Sequence, residues 1–256
     1  MKKKRMESET QSHSGFSLLE MAVVMLIVGL LLGGLFSAVG DSTQLKRRSD
    51  ATAQLKLIQE ALYGFAQANG RLPCPASNAS VGQESPVGGG ACTPGYHGFV
   101  PAVTLGLQGS LNSQSLLMDP WGNPLRYSVS DLTITGSSAF TSTAGLDKLF
   151  ANVALMVPGA NMICVATTAA CGATILSNTV PALIYSLGNN WGSFSSALEL
   201  ENVTPPVIAP GWGSVANNNF VSAGYADEGA NEFDDLLVWL SPSILFFRLV
   251  SAGQLP

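Results

Sequence analysis

The most prominent pattern in the sequence is a nearly unbroken apolar run from Gly15 to Val39, which contains one charged residue, Glu20. Its length reaches the roughly 20 residues that a helix needs to cross a bilayer. Gly29 and Gly33 form a small-xxx-small pair that allows close helix packing, although glycine is common in membrane helices in any case. We therefore expect residues 16–40 to form a membrane-spanning helix.

Apolar residues continue at three- and four-residue steps after this run, which predicts that the helix extends over residues 41–70 with one buried stripe. The stripe consists of Leu45, Thr52, Leu55, Ile58, Leu62 and Phe65 or Ala66. Asn69-Gly70 supplies a left-handed C-cap, and Pro73 prevents further helix. The Gly33-Gly34 pair, in a run without proline, leaves two alternatives: a straight helix, or one that melts at the pair.

Beyond residue 70 the pattern changes to short β-prone segments bounded by glycine, proline, asparagine or serine, which predicts a β-rich globular domain over residues 71–256. The predicted strands are Leu125–Val129, Leu132–Thr135, Ala151–Val157, Cys164–Thr168, Thr174–Leu176, Ala182–Leu187 and Leu236–Leu240. A last helix is predicted over Ser243–Ala252, with Ser241 as its N-cap and Gly253 at its end. Residues 76–98 and 191–220 are polar, and we expect both to be surface loops.

The predicted fold class is α+β, because the apolar stripe of a helix and a sheet with one apolar face can bury each other. Charged residues make up only 11% of the chain, well below the usual quarter, which is common in β-rich proteins outside the cytoplasm. The net charge is −5, and it becomes −7 without the first fifteen residues, which hold four basic and two acidic side chains. An acidic domain offers no electrostatic footprint for nucleic acid.

The four cysteines, Cys74, Cys92, Cys164 and Cys171, permit three disulfide pairings. Proximity in the sequence favours Cys74–Cys92 and Cys164–Cys171, each of which closes a short loop. Two disulfides would place the domain in an oxidising compartment. The alternative is four buried free thiols, since no pair has the spacing of a zinc site.

A basic leader, Lys2–Arg5, precedes the segment GFSLLE at residues 15–20, and the apolar run continues from it. This segment resembles the signal of type IV prepilins in five features: the charge of the leader, the glycine, the aromatic residue, the spacing of the glutamate and the apolar run. The resemblance implies that residues 1–15 are a leader peptide, which a prepilin peptidase removes by cutting after Gly15. It also implies that Phe16 is N-methylated and that the apolar run stays on the mature protein.

The resemblance implies a role in assembly for Glu20, which becomes the fifth mature residue. A carboxylate inside an apolar segment costs roughly 2–3 kcal/mol when it is central, and such a residue is functional by default. In pilins its partner is thought to be the freed α-amino group, here that of Phe16, on a neighbouring subunit. Pairing the two charges offsets their desolvation and sets the axial register. The alternative is that Glu20 only extends to the lipid headgroups.

A second resemblance is carried by the segment DPWGNP at residues 119–124, in which Asp-Pro and Gly-Asn-Pro are turn signals. The segment resembles a turn of the major pseudopilin of type II secretion that leads into the first sheet strand. We expect Asp119 to form this turn and Trp121 to pack in the core. Together the two resemblances imply a pilin-like fold, with a long N-terminal helix packed on a small antiparallel sheet with large loops.

One acidic cluster stands out in the globular domain: Asp227, Glu228, Glu232, Asp234 and Asp235. Closely spaced carboxylates in a loop can hold a calcium ion, although the order of these residues is not that of an EF-hand. The alternative is a solvated acidic loop before a strand. Beyond this possible calcium ion, no cofactor is expected.

The sequence contains no P-loop, dinucleotide-binding, GxSxG or HExxH motif. His97 lies alone at the end of a glycine-rich loop, and we expect an exposed histidine rather than a catalytic base. Catalysis by a cysteine and this histidine would require a free thiol. We therefore expect a structural protein rather than an enzyme.

The resemblance implies a minor pilin or pseudopilin of a type IV pilus or a type II secretion pseudopilus. Such a subunit sits in the inner membrane as a single-pass protein, with its globular domain in the periplasm, before it enters the filament. Its partners would be other pilin or pseudopilin subunits, the prepilin peptidase and the inner-membrane assembly platform. The alternatives are a signal-anchored periplasmic binding protein or adhesin, and a secreted hydrolase with an ordinary cleaved signal.

Overall fold

The structure, a computed structural model, describes residues 15, 17–93, 95–152, 163–168, 171, 174–192, 196–203, 218–226 and 232–256, without the side chains of residues 32–42. Contacts divide the chain into two units, Met1–Lys46 and Arg47–Pro256. Helix α1 runs from Leu18 to Asn69 and is helical through Gly33-Gly34, so the alternative of melting at that pair is wrong.

The second half of α1 presents one buried stripe, as its periodicity predicts. Leu55, Ile58, Leu62 and Ala66 are fully buried, whereas Leu45 is exposed, so its predicted place in the stripe is wrong. The helix ends at Asn69 because Gly70 adopts a φ of 63°, and its N–H donates to the carbonyl of Ala66 at 2.8 Å. The predicted C-cap is therefore confirmed.

The described residues of the globular unit contain nine strands and three further helices. The strands are β1 (His97–Phe99), β2 (Arg126–Val129), β3 (Thr133–Ile134), β4 (Ser137–Ser138), β5 (Ile163–Ala166), β6 (Ile175–Val180), β7 (Ala182–Ser186), β8 (Asn219–Val221) and β9 (Leu236–Trp239). The helices are α2 (Thr143–Ala151), α3 (Ala197–Val203) and α4 (Pro242–Ser251). Gly253, with a φ of 70°, follows α4 at the predicted position.

The central sheet is antiparallel and has the strand order β1-β2-β7-β9. Because side chains alternate along a strand, this sheet has two apolar faces. Tyr127 and Ile184 lie in the main core with the buried stripe of α1. Leu183 and Tyr185 point to the opposite face and form a second core.

A second layer covers that opposite face. It consists of the sheet β6-β5-β8 and helix α3, which together we call the outer layer. Val165, Val180, Val203 and Phe220 of the outer layer pack with the central sheet in the second core. Strands β5 and β6 are antiparallel, whereas β5 and β8 are parallel. The predicted one-faced sheet is therefore wrong, since both faces of the central sheet are covered.

Three local predictions are corrected by the structure. Ala151 ends helix α2 rather than beginning a strand, and the remainder of the predicted strand to residue 157 is described only at Asn152, a turn. Residues 191–220 contain α3 and most of β8, so they are not only surface loop. Residues 76–98 bury Glu84, although their polar composition predicts a loop that buries nothing.

The α+β class is confirmed. A long N-terminal helix precedes sheets that are antiparallel except for the β5–β8 pair, an order of elements that is consistent with a pilin-like fold.

Candidate functional site

Helix α1 begins at Leu18, three residues after Gly15, where cleavage is predicted. Ser17 precedes α1, and its hydroxyl oxygen accepts a hydrogen bond from the N–H of Glu20 at 3.2 Å. This is the bond that an N-cap serine makes to the third helical residue. The Glu20 side chain is exposed in the first turn, where the helix dipole favours a negative charge. Gly15 is exposed as well, whereas Phe16 lies outside the described residues, so cleavage and methylation there stay predictions.

Large apolar side chains from Leu18 to Leu31 are exposed around this helix. A helix that is apolar on all sides needs a non-aqueous surrounding or other helices to cover it. In the part of the chain that the structure describes, no helix combines the length and the apolarity needed to cross a membrane. The predicted span of residues 16–40 includes side chains outside that part and stays a prediction.

Both disulfides of the structure follow the pairing that proximity in the sequence favours. Cys74–Cys92 joins Cα atoms 5.4 Å apart, and Cys164–Cys171 joins Cα atoms 6.2 Å apart. The first lies in the main core and the second starts from β5 in the outer layer. No cysteine is free.

The segment of residues 119–124 forms a turn, and Asp119 holds it. One carboxylate oxygen of Asp119 accepts from the N–H groups of Trp121 and Asn123 at 2.9 and 2.8 Å, and the other accepts from the Ser186 hydroxyl at 2.6 Å. Burial raises the pKa of Asp119, although these hydrogen bonds work to lower it. Trp121 is only half-buried and belongs to none of the core clusters, so its predicted core role is wrong.

This turn lies against the turn that follows β7. The side-chain amide of Asn123 donates to the carbonyl of Gly188 at 2.7 Å. Gly188 has a φ of 66°, and a Cβ at this position would collide with the carboxylate of Asp234. Glycine is therefore required here both by the backbone conformation and by the close approach of an acidic side chain.

Three buried carboxylates meet beside Gly188: Glu199 of α3, and Asp234 and Asp235 in the stretch before β9. Carboxylate oxygens of the three residues lie within 4.8 Å of one another. Sequence reasoning found Asp234 and Asp235 but missed Glu199. It lies in a polar segment assigned to a loop, 35 positions before Asp234, and no local pattern connects the two.

Side-chain amides donate hydrogen bonds to some of the carboxylate oxygens of this acidic trio. Asn190 donates to both oxygens of Glu199, at 3.0 and 2.8 Å, and Asn202 donates to Oδ2 of Asp235 at 2.7 Å. The N–H of Asn189 donates to Oδ2 of Asp234 at 2.6 Å. Three buried oxygens have no hydrogen-bond partner among the described residues, namely the Oδ1 atoms of Asn190, Asp234 and Asp235.

The charge of the trio is poorly compensated. No lysine or arginine forms an ion pair with it within the described part of the chain. Arg48 donates to the main-chain carbonyl of Asp234 at 3.0 Å, and its guanidinium stacks over Tyr225. Burial raises the pKa of Glu199 and Asp234, and it raises the pKa of Asp235 well above its ordinary value.

These residues fit a hard divalent cation. Calcium takes oxygen ligands, and buried oxygens without partners are the atoms that an ion would coordinate. Of the residues predicted to bind calcium, Asp234 and Asp235 belong to the trio, and Glu232 accepts from the Asn190 amide at 3.2 Å. Asp227 and Glu228 lie outside the described residues. The alternative of a solvated loop is wrong for Asp234 and Asp235, which are buried.

His97 lies in β1 and is half-buried beside Phe220, not exposed as expected. Burial lowers its pKa to about 4, against the opposing influences of Asp131 and Asn218. Its imidazole is therefore neutral at pH 7.

Comparison with known proteins identifies the N-terminal segment. Residues 10–36 match the family described as the prokaryotic N-terminal methylation motif. The match includes Gly15, Phe16 and Glu20. No curated protein and no solved structure matches the chain.

Proposed function

We propose that this chain, which carries the prepilin-type cleavage and methylation signal of type IV pilins and pseudopilins, is a structural subunit of a filament. It would serve as a minor pilin of a type IV pilus or as a pseudopilin of a type II secretion pseudopilus. The observation that carries the proposal is the matched motif, in which Glu20 stands in the first turn of a helix that begins three residues after Gly15.

The signal indicates a membrane-anchored N-terminus that a prepilin peptidase processes. In our proposal the leader faces the cytoplasm and the globular domain lies in the periplasm. Cleavage of the amide bond between Gly15 and Phe16 frees an α-amino group. Glu20 of one subunit pairs with this group on a neighbour, because each charge is costly in an apolar surrounding unless it is paired. The exposed apolar side chains of residues 18–31 would then exchange lipid for neighbouring helices.

The globular domain would be the part of the filament that meets other proteins, and we assign it no catalytic role. Support comes from the chemistry of its reactive residues. All four cysteines are in disulfides, so no thiolate nucleophile is present. Burial lowers the pKa of His97 to about 4, and its ring borders the aromatic ring of Phe220. The size of the domain favours a minor subunit over a small major pilin, by analogy with the family.

The proposal is tested by replacing Glu20 with glutamine, which removes the charge and keeps the size. The variant should be cleaved and inserted like the natural protein but should fail to enter filaments. Glu60→Gln is the matched control, since Glu60 lies on the same helix in the globular unit, and this variant should assemble normally. Sheared filaments are probed for the subunit by immunoblot. Normal incorporation of Glu20→Gln would remove the role assigned to Glu20.

We also propose that Glu199, Asp234 and Asp235 bind one Ca²⁺ ion, with the amide oxygen of Asn190 as a further protein ligand. The support is the set of buried carboxylate and amide oxygens that lack partners. Titration calorimetry of the full chain in detergent, after treatment with chelator, would detect binding. An ion at a concentration one hundred times its Kd would stabilise the fold by about 2.7 kcal/mol. A melting temperature that neither calcium nor chelator changes would disprove the site.

A further inference from the structure

The acidic trio connects three separate parts of the globular unit. Asn189 and Asn190 follow β7 of the central sheet, Glu199 belongs to α3 of the outer layer, and Asp234 and Asp235 precede β9 of the central sheet. The trio therefore lies where the outer layer meets the central sheet. An ion bound there would be held by both.

Helix α3 is joined to the rest of the outer layer by Asn202. Its side-chain amide donates to the carbonyl of Val221 in β8 at 2.9 Å, and its oxygen accepts from the N–H of Val221 at 2.7 Å. The same amide donates to Asp235 at 2.7 Å. Movement of α3 away from Asp235 would thus carry β8 with it.

Electrostatic repulsion within the trio opposes this junction when no cation is present. Glu199 stands on the side of the outer layer, whereas Asp234 and Asp235 stand on the side of the central sheet. Like charges that share a buried site destabilise it, and separation of the two layers would bring water to all three carboxylates. A divalent cation reverses the sign of this interaction, because it attracts the carboxylates from both sides.

The covered face of the central sheet contains polar groups that also favour opening. Arg126 of β2 lies beside Tyr185 of β7 in the strand register. Within the described residues, neither Nε nor Nη2 of Arg126 has a hydrogen-bond partner, and both atoms are buried. Among the residues that the structure describes, Nδ1 of His97 on the neighbouring strand is buried without a hydrogen-bond partner as well. Water would satisfy these groups if the outer layer moved away.

Apolar packing acts in the opposite sense. Phe220 of β8 lies against Tyr185 with ring centroids 5.4 Å apart, and Val165 and Val180 are fully buried in the same core. The docking of the outer layer is therefore a balance between apolar burial and the cost of the polar groups that it covers.

We propose that Ca²⁺ binding controls the docking of the outer layer onto the central sheet, an inference that rests on the cation site proposed above for the trio. The loaded site holds α3 and β8 in place, and loss of the ion allows the outer layer to open while the packing of α1 on the central sheet persists. A filament subunit of this kind would expose a different surface in the presence and the absence of calcium.

The test is hydrogen–deuterium exchange of the full chain in detergent, compared in calcium and in chelator. Peptides that contain α3 and β8 should exchange about tenfold faster in chelator, as local opening predicts, whereas peptides of β2 and β7 should change little. Calorimetry on the same samples separates the two proposals. If calcium bound but the exchange of α3 and β8 stayed the same, the proposed control of docking would be wrong, whereas the proposed calcium site would stand. Absence of calcium binding would overturn both.

A variant provides the second measurement. Glu199→Gln removes the only charge that the outer layer contributes to the trio, and it keeps an acceptor for Asn190. Exchange of β8 should then be the same in calcium and in chelator. Glu201→Gln on the same helix lies outside the trio and should keep the natural response. A calcium response of β8 that survives Glu199→Gln would overturn the proposal.

Discussion

Removal of one partner from the buried ion pair between Arg71 and Glu84 should strongly destabilise the globular unit. Two nitrogens of Arg71 donate to the two oxygens of Glu84 at 2.8 and 2.7 Å, and the two side chains are only 10% and 4% exposed. The same carboxylate accepts from the N–H groups of Cys74 and Gly88, both at 3.1 Å. Glu84 therefore bonds to the first residue of the segment that the Cys74–Cys92 disulfide closes and to Gly88 within that segment.

Glu84→Ala should destabilise the protein strongly. It leaves a buried guanidinium without its partner and two N–H groups without their acceptor. Removal of one partner of a buried ion pair typically costs about 3–5 kcal/mol. For a domain of this size each kcal/mol lowers the melting temperature by roughly 2–4 °C, so we expect a decrease of about 6–20 °C.

The effect should depend on pH. Burial works to raise the pKa of Glu84, but the hydrogen bonds and the charge of Arg71 outweigh it, and the folded-state pKa is lowered. The stabilisation is therefore complete above the ordinary glutamate pKa of about 4.3, and it is lost as the pH falls through the lowered folded-state value. The difference in stability between the natural protein and the variant should shrink over that acidic range.

The assay is urea unfolding of the full chain in detergent, followed by circular dichroism at pH 7. The matched control is Glu60→Ala, which breaks the pair of Glu60 with Arg248 at 2.8 Å, where the side chains are 60% and 30% exposed. Exposed pairs contribute up to about 1 kcal/mol. If Glu84→Ala cost no more than Glu60→Ala, the reasoning from burial would be refuted.

Three further predictions concern the core, the turn after β7 and the acidic trio. Leu62→Ala should cost about 2–5 kcal/mol in urea unfolding, because Leu62 is fully buried, whereas the exposed Leu57 should tolerate alanine within about 0.5 kcal/mol. Gly188→Ala should cost clearly more than Gly192→Ala in the same assay, since both glycines have positive φ but only Gly188 would collide with a carboxylate; equal costs would contradict the close approach. Asp235→Asn should raise the melting temperature in chelator and abolish the response to calcium. The folded-state pKa of Asp235 is raised, so its charge destabilises the ion-free protein as the pH rises from about 4, and the variant should reduce that loss.

Elements with strong local signals could be predicted from the sequence. The end of α1 has a glycine in a left-handed conformation, and α4 begins at Pro242 after Ser241. Strand β2 alternates apolar and polar residues, β7 and β9 are short and mainly apolar, and all three follow turn signals and lie in the central sheet. In each case residues close in the sequence determine the structure, so no knowledge of distant partners is needed.

The outer layer could not be predicted in the same way. Helix α3 has only seven residues and a polar sequence, and β8 has three residues after a long polar segment. Their positions depend on contacts with distant residues, such as the bonds from Asn202 to Val221 and Asp235. For the same reason Glu199 was missed as a member of the trio.

Burial of polar residues was the second source of error. Composition correctly marked residues 76–98 as polar, but Glu84 is buried because Arg71 compensates its charge. Asp234 and Asp235 are buried because β9 follows them directly and α3 covers them. The composition of a segment indicates that burial of its polar groups is costly. The structure shows the partners that offset this cost.

The central claim, that the chain is processed as a prepilin and then assembled, is tested most directly by mass analysis of the mature N-terminus. The protein is isolated from cells that contain a prepilin peptidase and digested, and its N-terminal peptide is sequenced by tandem mass spectrometry. We predict a peptide that begins at Phe16 and carries one methyl group on its α-amino nitrogen. A peptide that retains Met1, or one that begins near Gly40, would contradict the claim.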